Sequence, residues 1–163
     1  MQPDVVPGSR LSVAAATVAR DRQAAAVRAW GDGACPSREE TFVIEGTLIA
    51  ESLRTGTNLE NMKLTVRKIS RFQAQGAAGG QPGIWTTLDF EAGEAQAEDL
   101  AQTFGGALDQ PGWYVDFRSP TETFVVFPGR TFRYPRGDKA GRAEAQVHGR
   151  QLAIPEAQLD WPA

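Results

Sequence analysis

The residues of this chain that could do chemistry are few and widely spaced. His148 is the single histidine and Cys35 the single cysteine. Hydrolysis by a serine–histidine–acid set would have to use His148, yet it falls mid-helix beside Gly149 and no G-x-S-x-G elbow accompanies it. It reads as an exposed helix residue. Cys35 lies in an N-terminal leader, and one thiol makes neither a disulfide framework nor a multi-cysteine zinc site. No H-x-x-x-H or D-x-D-x-D-G spacing offers a metal cage. The phosphate loop G-x-x-x-x-G-K-[ST] is missing, and GAAGG at 76–80 precedes no helix, so it reads as a linker. Neither cofactor nor metal is expected.

Carboxylates are the next resource. Asp89, Glu91 and Asp116 alternate with apolar residues in strand-like runs, so they share a sheet face. Two carboxylates opposed across adjacent strands could share a proton and act as acid and base, with Arg118 or Arg133 holding an anionic substrate. Arg118, Arg130 and Arg133 occupy neighbouring strands at compatible parity, however, and cross-strand charge pairing accounts for the same pattern without catalysis.

A basic run follows: Arg130, Arg133, Arg136, Lys139 and Arg142. It spans a strand end, the turn YPRGD and the first turns of the last helix, where backbone N–H groups and guanidinium forks both suit an anion. Asp138 occupies the cap of that helix, and Glu122 and Glu144 can neutralise the patch. The tripeptide Arg136-Gly137-Asp138 is a turn and a cap.

The aromatics give the most useful hint. Trp85, Trp113, Tyr114, Phe117, Phe124, Phe127, Phe132 and Tyr134 crowd into strands, and most must be core. Strand alternation places Trp85 and Tyr114 opposite their apolar neighbours. With Asp116 and Arg118 they would form an open sheet face for a partner or a second copy.

The whole chain limits these choices. Its 163 residues suit one domain. The 41% hydrophobic content supports a packed core, and no apolar run approaches the ~20 residues of a membrane helix. Seventeen basic against 20 acidic residues give a net charge of −3. Nucleic-acid binding, which draws its affinity from phosphate neutralisation, is disfavoured except through a local patch. The first apolar stretch, Leu11 to Val18, contains Ser12 and Thr17 and runs into Arg20-Asp21-Arg22, unlike a secretion signal; the expected address is cytoplasmic.

Two regions are expected. Residues 1–40 are rich in Ala and Arg and form a leader, disordered or a loosely attached Ala-rich helix with Ser12 as cap and Gly31 as stop. Arg38-Glu39-Glu40 can be encoded by codons resembling a ribosome-binding site upstream of Val43, which predicts a natural start near Val43. Residues 41–163 form a single domain. Thr41 to Leu53 is β-rich with a bulge or close backbone approach at Gly46. Strands follow at Lys63 to Phe72 and Ile84 to Glu91, then a helix from Glu94 to Leu108 with one apolar stripe of Ala97, Leu100, Ala101, Phe104 and Leu108. Trp113 to Arg118, Thr123 to Phe127 and Arg130 to Tyr134 alternate again, the last two joined by a Pro128-Gly129 turn. Asp138 caps a helix over about 139–153 that Pro155 ends. Trp161 is expected to fold back over an edge of the core.

The expected class is α+β: a mainly antiparallel sheet with both helices on one face, ordered β-β-β-α-β-β-α with a further short strand at 130–134, and partly ferredoxin-like. The block GWYVDFRSPTETFVVFPGRTFRYPRGD, with EGTLIAESLRTGT before it and IPEAQLDWP after it, resembles small proteins of GC-rich actinobacteria over residues 43–163. That resemblance implies no activity, cofactor or catalytic residue. The leading functional expectation is a non-catalytic protein-binding or regulatory module, possible as a homodimer, with Trp85, Tyr114, Asp116, Arg118, Arg130, Arg133 and Arg136 as binding residues. The alternatives are a small enzyme with a carboxylate base, and an anion or nucleic-acid binder acting through Arg130–Arg142.

Overall fold

The structure, a computed structural model, describes residues 43–75, 77 and 80–162. The expectations for the leader and for a start at Val43, and part of the GAAGG linker, lie outside the described residues. Strands β1 (Val43–Ile49), β2 (Thr65–Gln73) and β3 (Ile84–Gly93) come first, then helix α1 (Ala97–Ala107), strands β4 (Val115–Arg118), β5 (Glu122–Phe127) and β6 (Arg130–Pro135), and helix α2 (Lys139–Gln151). The fold is α+β. Its six strands form one open antiparallel sheet in the order β2-β3-β1-β4-β5-β6.

β1 holds this order together. Both β3 and β4 run antiparallel to β1, one on either side, so β3 and β4 are parallel to each other. Helix α1 joins them, which makes β3-α1-β4 a split β-α-β unit with β1 in the gap, the ferredoxin-like element expected. At the centre Gly46 faces Phe90 and Phe117. A β-carbon there would lie 2.5 Å from Cβ of Phe117 and 2.7 Å from Cζ of Phe90. The glycine is therefore a close approach of backbone to rings, one of the two roles expected of it.

The local signals act as their residue types dictate. Asp138 caps α2, its Oδ1 accepting from the Ala140 N–H at 2.9 Å. Gly129 takes φ 73° in the two-residue β5–β6 turn, a left-handed conformation that its missing β-carbon permits. Ser119 closes the β4–β5 connection by accepting from the N–H groups of Thr121 and Glu122.

The placement of the helices differs from the expectation of a single roofed face. On α1, Leu100, Ala101 and Phe104 pack on Ile44, Phe90, Phe117, Phe124 and Val126. On α2, Ala145 belongs to a second core with Val125, Phe127, Phe132 and Tyr134. Along β5, Phe124 and Val126 point to one side and Val125 and Phe127 to the other, so the two helices lie on opposite faces. The physical reason is that β5 is apolar at both parities, and a strand with two apolar faces needs a cover on each. The second cover is completed by the C-terminal tail. Trp161 and Leu159 are buried there, and the Trp161 indole N–H donates to the Tyr134 hydroxyl at 2.7 Å. The expected return of Trp161 is present.

Candidate functional site

Among the described residues, helix α2 and the tail cover only the β5–β6 side of their face. On the same face, β3, β1 and β4 present polar side chains in two rows. Cross-strand register aligns Lys68, Asp89, Thr47 and Asp116 in one row and Thr65, Glu91, Glu45 and Arg118 in the other. Within these rows the charges are shared out. Thr47 donates its hydroxyl to Asp89 at 2.8 Å. Glu91 accepts from Arg67, and Glu45 stands 4.0 Å from Arg118. The carboxylates expected on one face do share it; Asp89 is held by the Thr47 hydroxyl and Glu91 by Arg67, whereas the charge-pairing expectation named Arg118, Arg130 and Arg133, of which Arg130 and Arg133 pair with Glu144, Glu98 and Glu122.

Asp89 and Asp116 both border Thr47 but on opposite sides of β1, so their strands are separated by about 10 Å, twice the interstrand spacing. They are not opposed across adjacent strands, and they do not form the acid–base pair that geometry would require. Glu51, in the 3-10 turn Ala50–Ser52 after β1, is bound more tightly. It accepts from the backbone N–H of Thr86 at 2.6 Å and from the Thr86 hydroxyl at 2.8 Å, with Arg71 at 3.5 Å. Burial pushes its carboxyl up, but the Thr86 hydrogen bonds and the Arg71 charge outweigh that and hold it below the usual glutamate value.

Two of the expected binding residues do not stand on the bare surface. Tyr114 lies beneath the tail, its ring 5.0 Å from that of Trp161 and 5.9 Å from that of Phe127, and its hydroxyl donates to the Gln158 carbonyl. Burial, with Asp116 and Asp160 nearby, pushes its phenol well above the ordinary tyrosine value. Trp85 is half-buried against Trp113, ring centroids 5.5 Å apart. Asp116 and Arg118 do remain on the face described, both partly exposed.

The basic run does not form one patch. Arg130 and Arg133 differ by three positions along β6, so they point to opposite sides of the sheet. Arg130 lies over Phe132 and 3.7 Å from Glu144 on α2, while Arg133 lies over Phe124 and bonds Glu98 on α1 and Glu122. Arg142 donates to the Trp161 carbonyl at 3.0 Å. Arg136 is exposed, and its backbone N–H donates to the Thr121 carbonyl. His148 is half-buried rather than exposed, packed edge-on against Phe127 at 5.0 Å.

A cleft of about 370 Å³ lies at the end of α1, lined by Arg54, Gly105, Gly106, Asp109, Pro128 and Gly129 among others. None of the expected site residues lines it. Among the described residues no group of three or more His, Cys, Asp and Glu side chains could hold a metal ion, and no helix is long and apolar enough to cross a membrane.

The feature that residue-by-residue reading passed over is the outer strand β2. Among the described residues it pairs with β3 alone, and Val66, Ile69 and Phe72 are exposed, Ile69 by 65%. A signal was present: no acidic residue occurs between Glu60 and Asp89, whereas Lys63, Arg67, Lys68 and Arg71 all fall there. No protein-family model, curated protein or solved structure matches the chain.

Proposed function

We propose that this protein is a non-catalytic protein-binding module whose contact surface is the part of the sheet that, among the described residues, neither helix nor the tail packs over, built around Glu45, Thr47, Asp89, Asp116 and Arg118. The observation that carries this reading is the unequal roofing of the two faces. Helix α1 packs over the central strands on one side, while α2 and the tail pack over β5 and β6 on the other. The remainder presents a mixed-charge surface on paired strands, with Glu45 4.0 Å from Arg118 and the Thr47 hydroxyl bonded to Asp89. Fixed side chains on strands lose little freedom on binding, and such preorganisation favours recognition.

The enzyme reading requires a concave pocket around Asp116 with an acid lacking an Arg partner. The cleft lies at the end of α1, away from Asp89 and Asp116, and offers that reading no support. The anion-binder reading loses its basis with the division of Arg130 and Arg133 between two faces.

The test is site-directed photocrosslinking in cells of the native host. A photoreactive residue at Glu45 should yield an adduct of discrete mass, and the same residue at Gln102 on the exposed side of α1 should yield none. Arg118→Glu should abolish the Glu45 adduct. Equal labelling from Glu45 and Gln102, or none from Glu45, would overturn the reading.

A further inference from the structure

Among the described residues, strand β2 is a sheet edge with a neighbour on one side only, and one of a particular kind. It is nine residues long, Thr65–Gln73, and a register shift between Val66 and Lys68 interrupts its pairing with β3. From Lys68 to Gln73 the pairing is regular, which leaves six residues, about 20 Å of straight edge, with alternate backbone N–H and C=O groups facing outward. Such an edge accepts an additional strand, the backbone giving affinity and the alternating side chains giving selectivity.

The side chains on this edge say which strand it takes. Ile69 and Phe72 are exposed by 65% and 44% and lie on opposite faces, so each face supplies an apolar contact. Ile84 on β3 extends the apolar area on the Ile69 side, exposed by 43%. The charges are all positive: Arg67, Lys68 and Arg71 on the strand and Lys63 just before it, with no acid between Glu60 and Asp89. A second copy added antiparallel along this edge would bring Lys68 and Arg71 of each chain beside those of the other, and like charges close together across strands destabilise a sheet. The same cations attract a strand of opposite sign. They therefore discriminate between partners as well as against self-pairing.

We propose that β2 is the docking edge for an extended, acidic peptide segment of a partner protein, which adds as a seventh strand with apolar residues meeting Ile69 and Phe72 and carboxylates meeting Lys68 and Arg71. This goes beyond the reading above: it concerns a second surface, the sheet edge, and names the chemistry of the partner segment that the edge takes. Arg67 and Arg71 also touch Glu91 and Glu51, so Lys68 is the cation most available to an incoming carboxylate.

The experiment uses the full chain and a fluorescein-labelled nonapeptide in which Val, Glu and Thr alternate in that order, so that antiparallel to β2 it sets Val against Phe72 and Ile69 and Glu against Arg71 and Lys68. Fluorescence anisotropy should show saturable binding that weakens as salt rises. A peptide of the same charge with two of its Val residues replaced by Pro, which removes backbone donors and breaks the strand, should bind at least about tenfold more weakly. The double variant Lys68→Glu, Arg71→Glu should lose a similar factor while keeping its circular dichroism spectrum, and Ile69→Ser should weaken binding without the salt-dependent part changing. Equal binding of the proline peptide would overturn the proposal in favour of unspecific charge attraction. No binding of the alternating peptide would overturn it as well. So would a dimer by sedimentation that the double variant dissociates, since the occupant would then be a second copy. A discrete Glu45 adduct with no peptide binding leaves the protein-binding module standing and removes only the docking edge, whereas loss of the Glu45 adduct with peptide binding intact does the reverse.

Discussion

Gly46 faces Phe117 across the β1–β4 pair so closely that a β-carbon on Gly46 would sit 2.5 Å from Cβ of Phe117 and 2.9 Å from the carbonyl oxygen of Asp116. Two of those obstacles are main chain or its first side-chain atom, so neither can swing away. The contact lies at the centre of the sheet, under the rings of Phe90 and Phe104, whose centroids are 5.7 Å apart. The smallest substitution is therefore expected to be costly here. Gly46→Ala should destabilise the protein by about 1–3 kcal/mol or more, through overpacking. Urea denaturation followed by circular dichroism measures this, and a loss below about 0.5 kcal/mol would contradict the packing described.

The tail is held by its terminal tryptophan. Trp161 is 2% exposed, touches Tyr114 and Phe127, and donates to the Tyr134 hydroxyl. Trp161→Ala is expected to cost about 3–5 kcal/mol by removing ring contacts in the second core. Trp161→Phe keeps most of the ring and removes the donor, and should cost about 1 kcal/mol. The ratio of the two in the same denaturation assay separates packing from hydrogen bonding.

Acid should weaken the β1–β3 corner through Glu51. Its folded-state pKa is below the ordinary glutamate value, because hydrogen bonds from Thr86 and the Arg71 charge overcome the effect of burial. The stability it contributes is thus fully present above the unfolded-state pKa, about 4.3, and is lost as pH falls through the lower folded value. Wild type should be more stable than Glu51→Gln at pH 7, and the gap should shrink toward pH 3. A gap independent of pH would mean the carboxylate charge contributes nothing.

Both tyrosines of the chain should titrate late. Burial raises Tyr114, with Asp116 and Asp160 adding to it, and burial also raises Tyr134 against the opposing hydrogen bond from Trp161. The folded state favours the neutral phenols, so stability is retained below pH ~10 and declines as pH climbs above it. Phenolate absorbance should rise only with, or after, loss of the folded circular dichroism signal. Phenolate formation near pH 10 in a folded protein would show that these hydroxyls are open to solvent.

Much of the architecture was legible because single residues carried it. Asp138, Pro128-Gly129, the apolar stripe of α1 and the alternation of β3 each have one local physical cause, and each element stands where that cause places it. The helix arrangement lies in Phe124-Val125-Val126-Phe127 and not in the helices: four consecutive apolar residues in a strand require a cover on both faces. A stripe on each helix says that each is buried, not which side of the sheet buries it. The site was less legible still. Strand parity put Tyr114 opposite Trp113 correctly, but only the folded tail reveals that Trp161 closes over it. The basic run misled because nearness in sequence is not nearness in a strand, where an odd spacing such as Arg130 to Arg133 sends two side chains to different surfaces.

The position of β1 has a consequence for assembly. Its two neighbours, β3 and β4, do not pair with each other, so without β1 the layer would fall into a two-stranded ribbon and a three-stranded meander with no seam between them. The meander can form from contacts close in sequence, but the seam must be closed by a segment some forty and seventy residues away from the strands it joins. Closing such long loops is entropically expensive and slow. Completing the sheet therefore requires β1 to close two long loops, and β1 is the strand through which its two halves are hydrogen-bonded together.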